Sequence, residues 1–430
     1  MTIRLSTADS NFEALFTELL ATKREVSEEV GTVVAEMIAR VREEGDRAVI
    51  DYTRRFDRFD PSATGLKITR EEIAAAYEMV DRPTLEALKI ARERIESHHA
   101  RQTPSDLRYR DDAGVELGWR WTAIHTVGIY VPGGLASYPS SVLMNAIPAR
   151  VAGVERIVMT VPTPDGELNP LVLVAADLAG VTDIFRIGGA QAIAALAYGT
   201  ETIPAVDKIV GPGNAYVAAA KRQVFGQVGI DMIAGPSEVL VVADPDNDPN
   251  WIAADLLAQA EHDTAAQSIL MTTDPAFADE VEEAVQKQLE TLPKAEIASA
   301  SWRDFGAIII MNSFEEAPAL IDRIAPEHLE LATAEAEKLF ARIRNAGAVF
   351  LGRYTPEALG DYVAGSNHVL PTARSARFSS GLSVLDFMKR MSLLKAGADQ
   401  LRAIGPAAIA LGRAEGLDAH ARSVSIRLNT

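Results

Sequence analysis

Two side chains that can bind a metal lie one helical turn apart near the middle of the chain. Gln259 and His262 belong to the stretch 256–263, where the spacing of apolar residues predicts a helix. Residues three apart on a helix share a face, and an amide oxygen and an imidazole nitrogen can both ligate a metal. A solvated polar face is the commoner meaning of such a pair, so these two residues alone leave both interpretations open.

Glu327 and His328 form an adjacent pair of an acid and an imidazole. Both groups transfer protons near neutral pH, which is the chemistry of general acid–base catalysis. On a helix, adjacent side chains diverge by roughly 100°, so the two would reach neighbouring points of one cleft. Glu-His is also common on protein surfaces, and an exposed pair is the alternative.

Two further pairs of an acid and a histidine lie in stretches that predict loops. Asp361 and His368 fall in the glycine-punctuated stretch 360–368, and Glu415 and His420 fall near the C-terminus. Functional residues concentrate in loops, yet a polar surface loop explains each pair equally well.

The chain has seven histidines and no cysteine. It therefore has no disulfide, cysteine zinc ribbon, iron–sulfur cluster or thiolate nucleophile. Any metal must be held by imidazole, carboxylate or amide groups, and any aldehyde must be oxidised without a thiohemiacetal. We interpret His98 and His99 as surface residues of a charged helix and His125 as structural.

Glycine-rich turns at 132–134, 188–191 and 211–214 each follow a predicted strand. Such turns present backbone N–H groups at a helix N-terminus, which suits an anion, at the sheet edge where α/β folds bind ligands. None completes G-x-G-x-x-G with an acid about 20 residues on, so ordinary strand-to-helix turns are the alternative. The patterns of zincin proteases, α/β-hydrolases and Walker A nucleotide sites are absent from the sequence.

The composition excludes several classes of partner. With 42 basic and 60 acidic residues among 430, the net charge is −18, which disfavours nucleic acid and anionic membrane surfaces. No apolar run is long enough to span a bilayer, and the N-terminal residues lack the pattern of a signal or transit peptide. We therefore expect a cytoplasmic protein of about three domains.

These residues are spread over a chain in which predicted strands and helices alternate. Residues 12–100 predict helices. A buried strand that runs into a glycine-rich turn is predicted over 126–134. Further strands are predicted at 156–161, 183–187, 208–210, 269–271, 307–310 and 348–351, with helices at 171–178, 190–198, 215–225, 251–262, 277–292 and 316–324.

This order predicts an α/β fold of two Rossmann-like, incomplete parallel-sheet units. A helical segment precedes them, and a helical tail without an obvious sheet partner follows after about residue 381. The tail could pack on its own core or on another subunit.

Taken together, long blocks of the sequence closely resemble the histidinol dehydrogenase family, over essentially the whole chain. The matching blocks are 130–134 (YVPGG), 137–145 (SYPSSVLMN), 188–192 (GGAQA), 208–214 (KIVGPGN), 234–238 (AGPSE), 257–263 (LAQAEHD), 327–330 (EHLE), 367–372 (NHVLPT) and 416–420 (GLDAH).

The resemblance implies a homodimeric zinc enzyme that oxidises L-histidinol to L-histidine with two NAD+, through an aldehyde-level intermediate. By position, Gln259, His262 and Asp361 resemble the zinc ligands of one subunit, and His420 resembles the ligand that a swapped tail contributes from the other. Glu327 and His328 match the family's acid–base pair. Ser237, His368 and Glu415 match substrate contacts, and the zinc ligands and His328 also count among the substrate-binding residues. Tyr130, Gln191 and Asn214 match cofactor contacts.

The resemblance also implies a division of the chain. Residues 1–25 would form an N-terminal helical arm, 26–126 with 238–381 a first α/β domain carrying most of the site, 127–237 a second, NAD-binding α/β domain, and 382–430 the swapped helical tail.

The chemistry of these residues agrees with the resemblance. One amide, two imidazoles and one carboxylate leave zinc a net positive charge with which to orient the nitrogen ligands of histidinol. We expect His328 to take the alcohol proton and Glu327 to activate water at the aldehyde stage, because no thiol is present.

Two other functions remain as alternatives. A related dehydrogenase could act on another amino alcohol or diol with the same zinc and NAD sites. A zinc hydrolase or metal-binding module would explain the metal ligands but not the three glycine-rich turns. The choice between zinc and manganese also stays open, because a Gln/His/Asp set accepts either metal.

Overall fold

The computed structural model describes residues 2–21, 28–133, 138–233 and 235–428. Among these residues, no helix is long and apolar enough to cross a membrane.

Strands and helices alternate along most of the described chain. The strands are β1 (Ile3–Ser6), β2 (Leu107–Arg110), β3 (Glu116–Ala123), β4 (Thr126–Tyr130), β5 (Arg156–Thr160), β6 (Asp183–Phe185), β7 (Lys208–Val210), β8 (Gly229–Ile230), β9 (Glu238–Ala243), β10 (Gln267–Thr272), β11 (Ala307–Ile310), β12 (His328–Ala332), β13 (Ala348–Leu351) and β14 (Met388–Lys395). The helices are α1 (Phe12–Ala21), α2 (Glu28–Glu44), α3 (Asp46–Phe56), α4 (Arg70–Met79), α5 (Arg82–Ala100), α6 (Pro139–Ala152), α7 (Pro170–Ala179), α8 (Gly189–Tyr198), α9 (Ala215–Val224), α10 (Pro249–Ala260), α11 (Pro275–Leu289), α12 (Ala295–Phe305), α13 (Ala317–Ile324), α14 (Ala336–Phe340), α15 (Glu357–Tyr362), α16 (Ala398–Ala414) and α17 (Asp418–Leu428).

Two parallel sheets confirm the predicted α/β fold. The six-stranded sheet, called sheet A here, has the order β1-β11-β10-β9-β12-β13, and the five-stranded sheet B has the order β6-β5-β4-β7-β8. All their pairings are parallel. In each sheet, successive strands are added first on one side and then on the other side of a central strand, which is β9 in sheet A and β4 in sheet B. This is the strand order of doubly wound folds.

Helices cover both faces of each sheet, because the strands are apolar on both sides. In β5, Ile157 and Met159 pack toward α4–α7, whereas Val158 packs toward α2, α3, α8 and α9. In sheet A, one face packs against α1, α13 and α14 and the other against α10–α12.

This packing corrects the expected domain boundaries. Residues 28–56, expected with sheet A, bury Val34, Val41 and Val49 against sheet B. Helices α4 and α5 bury Ile73 and Ile95 on the opposite face of the same sheet. The physical reason is that sheet B supplies only α6–α9 itself, and its two apolar faces are completed by helices from earlier in the chain.

Both chain ends also differ from expectation. The arm expected to be helical over residues 1–25 begins with β1, which extends sheet A beside β11. The tail expected to be helical after residue 381 contains β14, which pairs antiparallel with β3 in a third sheet, β14-β3-β2. A short edge strand has too few residues to show a clear period in the sequence, and the partner of β14 lies more than 260 positions earlier.

Candidate functional site

Glu327 and His328 lie at the amino edge of sheet A, where β12 begins beside β9. They are not on a helix, so the helical geometry assumed from the sequence is wrong. Ala325 ends α13 in the left-handed region (φ 49°), and Pro326 cannot continue a helix because it lacks an N–H. Both side chains are buried, which excludes the alternative of an exposed pair.

The first residue of β9 holds both members of the pair. The backbone N–H of Glu238 donates to Oε2 of Glu327 (2.9 Å). The backbone C=O of Glu238 lies 3.1 Å from Nδ1 of His328. A carbonyl only accepts, so Nδ1 carries the proton and Nε2 keeps its lone pair. Nε2 is buried and has no hydrogen-bond partner among the described residues. Nε2 is therefore the ring atom at which His328 can take up or release a proton.

Burial and neighbouring charges tune both groups for proton transfer. Burial raises the pKa of Glu327 to about 7. Burial acts against a charged His328 ring, but the carboxylates of Glu357 and Glu327 raise the pKa of His328 well above its ordinary value. The imidazolium that forms when His328 accepts a proton is thereby stabilised.

Glu357 is a buried carboxylate of this site that the sequence analysis missed. Its Oε1 lies 3.6 Å from Nδ1 of His328, its Oε2 has no partner among the described residues, and burial raises its pKa to about 8. Glu357 and Asp361 are one turn apart on α15, and this i, i+4 spacing was the signal available in the sequence.

Helix α10 carries the first expected metal ligands to the same edge. Asp248 caps its N-terminus by accepting from the N–H of Asn250, and Pro249 occupies the first turn. The helix follows β9, runs back along the sheet and ends at Ala260, so Gln259 lies in its last turn. The Gln259 side chain is fully buried, yet neither its Oε1 nor its Nε2 has a partner among the described residues.

Asp361 and His262 are the other two metal ligands that are expected from this chain. Oδ1 of Asp361 lies 3.6 Å from Nε2 of His328. Burial opposes ionisation of Asp361, but the neighbouring His328 ring keeps the pKa of Asp361 below its ordinary value. His262 lies close enough for its charge to interact with those of Asp361 and His328, although it is exposed toward solvent.

The donor set fits a zinc ion. Burying an amide group without hydrogen-bond partners costs free energy. A metal bound to Oε1 of Gln259 would give this buried oxygen a partner. His328, Glu357 and Asp361 also place a ligand atom each within 4.8 Å of one another, so Asp361 belongs to both possible sets. Carboxylate, imidazole and amide groups are all zinc ligands.

His368 joins this edge to the helices of sheet B. Its Nδ1–H donates to the backbone C=O of Asp361 (3.0 Å), so its Nε2 accepts from the hydroxyl of Ser141 on α6 (3.3 Å). Ser137, the first residue of the matching block 137–145 that also contains Ser141, lies outside the described residues. Ser237 lies directly before β9, half-buried, at the amino edge of sheet A.

Glu415 and His420 do not reach this cleft within one chain. Both are exposed, at the end of α16 and on α17. None of the side-chain hydrogen bonds or ion pairs found among the described residues connects His420 to the cleft residues.

The expected cofactor residues lie at the carboxyl edge of sheet B. The chain turns there from β4, β6 and β7 into the helices that follow, although Gly134 of the first turn lies outside the described residues. The hydroxyl of Tyr130 accepts from the N–H of Gly189 (3.1 Å). A Cβ on Gly211, whose φ is +113°, would lie 2.1 Å from the carbonyl oxygen of Tyr130, so only glycine fits.

Gln191 and Asn214 differ in how far their side chains are already engaged. Gln191 is buried, and its Oε1 has no partner among the described residues. Oδ1 of Asn214 caps α9 by accepting from the N–H groups of Tyr216 and Val217. Its amide N–H groups are the part that can still contact a ligand.

His99 is the one histidine whose sequence interpretation is wrong. It is completely buried, its Nδ1–H donates to the C=O of Ile95 (2.8 Å), and its Nε2 lies 3.3 Å from Nδ2 of Asn367. Asn367 in turn donates to the C=O of Met144 (2.7 Å). His99 therefore supports the loop that carries His368.

The chain is similar throughout to proteins of one family. The histidinol dehydrogenase family model matches residues 20–428. The chain is 70% identical over 429 residues to histidinol dehydrogenases of Mesorhizobium japonicum and Brucella suis, with 100% of each chain covered. It is similar in structure to the histidinol dehydrogenase of Elizabethkingia anophelis, with a TM-score of 0.95 and 38% identity over 100% of this chain and 98% of that one.

Proposed function

This chain belongs to the histidinol dehydrogenase family, and from that premise we propose how its residues carry out the reaction. The protein is an oxidoreductase of histidine biosynthesis that uses NAD+ and a zinc ion. It oxidises L-histidinol to L-histidine in two steps, with an aldehyde between them and one water consumed. Identity at this level over the full length disfavours a related dehydrogenase of another amino alcohol and a zinc hydrolase.

The single observation that carries the assignment of roles is the state of His328. Nδ1–H is held by the carbonyl of Glu238, and Nε2 is buried without a hydrogen-bond partner among the described residues. His328 takes the substrate hydroxyl proton at Nε2 in the first oxidation and the proton of the aldehyde hydrate in the second.

Glu327 acts at the water stage. Its pKa of about 7 lets it accept a proton from water at neutral pH and return it later. The N–H of Glu238 orients its carboxylate. Because the chain has no cysteine, hydration by an activated water replaces the thiohemiacetal that a thiol would form.

The remaining site residues bind and orient the reactants. Gln259, His262 and Asp361 hold zinc together with the partner subunit's His420, and Ser237, His368 and Glu415 contact the substrate. When bound, zinc fixes the imidazole and amine nitrogens of the substrate, and NAD+ at Tyr130, Gln191 and Asn214 accepts the hydride of each oxidation.

We also propose a homodimer in which residues 382–430 cross to the other subunit. Helix α16 buries only Gly405 and α17 only Ala421, and both lie against residues of the α16–α17 hairpin itself. Apolar side chains such as Leu411, which is 65% exposed, are left uncovered in one chain. A second copy would cover them and would bring His420 and Glu415 to the cleft. The expected cytoplasmic location suits such a biosynthetic enzyme.

The stoichiometry of NADH formation tests the proposed function. The purified protein with limiting L-histidinol should form two NADH per substrate. A chelator should abolish the activity, and added Zn²⁺ or Mn²⁺ should restore it. One NADH per histidinol, or full activity after verified metal removal, would contradict the proposal.

A further inference from the structure

Sheet B has the strand order of a dinucleotide-binding fold but lacks the usual ribose-binding acid. In such folds, an acid in the segment after the second strand hydrogen-bonds the ribose 2′-hydroxyl of NAD. Here the second strand is β5, and the residues after it are Val161, Pro162 and Thr163. The next acid, Asp165, is exposed and paired with Arg58, so it does not face the sheet edge.

Asp57 brings a carboxylate to this position from outside the sheet. It ends α3, and Thr163 donates from its backbone N–H to Oδ2 of Asp57 (3.3 Å). The C=O of Asp57 accepts from the N–H of Asp165 (2.7 Å). The carboxylate is thus anchored beside the end of β5 through one oxygen, and only 7% of the residue is exposed.

Neighbouring polar groups indicate that a ligand binds here. Thr163 is fully buried and Gln191 is 1% exposed, yet Oγ1 of Thr163 and Oε1 of Gln191 have no partner among the described residues. The charge of Asp57 also acts on the Tyr130 hydroxyl. Buried polar atoms are normally hydrogen-bonded, so these two atoms mark the edge as built to receive polar groups.

We propose that Asp57 binds the 2′-hydroxyl of the adenosine ribose of NAD+ and thereby selects NAD+ over NADP+. The inference rests on the proposed cofactor site and adds to it a residue outside the family motifs. Oδ1 of Asp57, for which no hydrogen bond is found among the described residues, accepts from the ribose hydroxyl while Oδ2 stays on Thr163.

The same arrangement rejects a 2′-phosphate. A phosphate at this place would meet the Asp57 carboxylate at close range, and like charges repel strongly where water is excluded. Arg58 is adjacent in sequence, but its guanidinium is bound by both carboxylate oxygens of Asp165. It is therefore already engaged with a carboxylate.

Cofactor selectivity of an Asp57→Asn variant tests the proposal. The asparagine oxygen can still accept from Thr163, so the loop should fold. At saturating histidinol, KM for NAD+ should rise roughly tenfold or more, as expected for loss of a hydrogen bond to a charged acceptor, with kcat within about twofold. The ratio of kcat/KM for NADP+ to that for NAD+ should rise by at least about tenfold.

Two controls keep the result specific. Asp60→Asn removes the same charge from the same loop, where Asp60 is exposed and pairs with Arg54, and should leave the ratio unchanged. Asp57→Glu keeps the charge but displaces it, and should raise KM for NAD+ while NADP+ stays rejected.

The possible failures are distinguishable. A wild-type protein that does not reduce NAD+ with histidinol would overturn the proposed function. A wild-type protein that does, with folded Asp57→Asn and Asp57→Glu variants of unchanged KM and selectivity, would overturn only the role of Asp57. If Asp57→Asn does not fold, the Asp57→Glu result decides, because an unchanged KM for NAD+ in that variant overturns the role.

Discussion

The role proposed for His328 as a base depends on the different neighbours of its two ring nitrogens. The carbonyl of Glu238 fixes the proton on Nδ1, and Nε2 stays free in the cleft. Glu327 differs because its carboxylate is held by a backbone N–H and its pKa lies near neutrality. Two residues adjacent in sequence are therefore held by opposite backbone groups of one residue of the neighbouring strand, and the separate roles proposed for them rest on this difference.

Substitutions of the pair should separate the two oxidations. Glu327→Gln should mainly slow oxidation of histidinal, because water is no longer activated, whereas His328→Asn should slow oxidation of both histidinol and histidinal. Loss of a general base costs about 10²- to 10⁴-fold in rate. Steady-state rates on each substrate measure the effect, with His125→Asn, a substitution of an exposed histidine, as control. Equal losses on both substrates in both variants would contradict the division.

Elements hold these residues in place through buried charged contacts. Lys221 on α9 and Asp231 directly after β8 form an ion pair beside the turn that follows β7, and their side chains are 3% and 1% exposed. Nζ of Lys221 donates to the C=O of Gly211 (3.0 Å), and Oδ2 of Asp231 accepts from the N–H of Gly211 (2.8 Å). The pair therefore clamps the peptide groups of the proposed cofactor turn.

Breaking this clamp should impair both stability and cofactor binding. Lys221→Met leaves Asp231 charged and buried without its partner, which costs about 3–5 kcal/mol. We expect a lower free energy of unfolding in denaturant titrations and a higher KM for NAD+. The double variant Lys221→Met/Asp231→Leu should be more stable than Lys221→Met. A single variant with wild-type stability would show that the pair does not clamp the turn.

A second buried contact, between α10 and β12, should make stability depend on pH. Burial raises the pKa of Asp255 to about 6, and burial together with the charge of Asp255 raises the pKa of Glu330 well above its ordinary value. A carboxyl whose pKa is raised on folding stabilises the fold below its unfolded value, and this stability is lost as pH rises through the native value.

Asp255→Asn should therefore gain stability relative to the wild type as pH rises from about 4 through 6. The difference in unfolding midpoint between the two proteins, measured across this range, should widen in favour of the variant. Glu283→Gln, a substitution of an exposed residue on α11, should show no such trend. A constant difference for Asp255→Asn would exclude the shift.

At the scale of the whole molecule, the proposed reaction cleft combines opposite edges of the two sheets. Glu327 and His328 lie at the amino edge of sheet A, whereas the glycine-rich turns lie at the carboxyl edge of sheet B. Ser141 and His368 connect the two regions across the cleft. The exposed α16–α17 hairpin has no comparable contact within one chain, which is the basis of the proposed swap.

Subunit mixing tests the swap. If His420 completes the metal site of the other subunit, His420→Ala and His262→Ala homodimers should both be inactive. A heterodimer of one His420→Ala chain and one His262→Ala chain should have one intact metal site of its two, and therefore up to half of the wild-type activity. Co-refolding of differently tagged chains, with heterodimers isolated by both tags, measures the recovery. Verified heterodimers without activity would count against the swapped site.

Local patterns in the sequence were enough for much of the fold and for the identity of the chemical groups. The strands from β4 to β7 and the helices between them follow from apolar runs and glycine-rich turns, which depend on neighbouring residues only. The motif around Glu327 and His328 likewise marks the acid–base pair without any structure. Residues such as Glu357, Ser141 and Asp57 were missed because their role depends on contacts with residues far away in sequence.

The amino-acid sequence alone therefore specified the α/β class, the side chains proposed to react and the exclusion of sulfur chemistry. The folded chain was needed to show that β12, and not a helix, begins at His328, that His99 is buried, and that α2–α5 cover sheet B. The reason is physical. Periodicity and turn chemistry act over a few residues, whereas burial, pKa and the partner of a polar atom are set by whichever distant segments pack beside it.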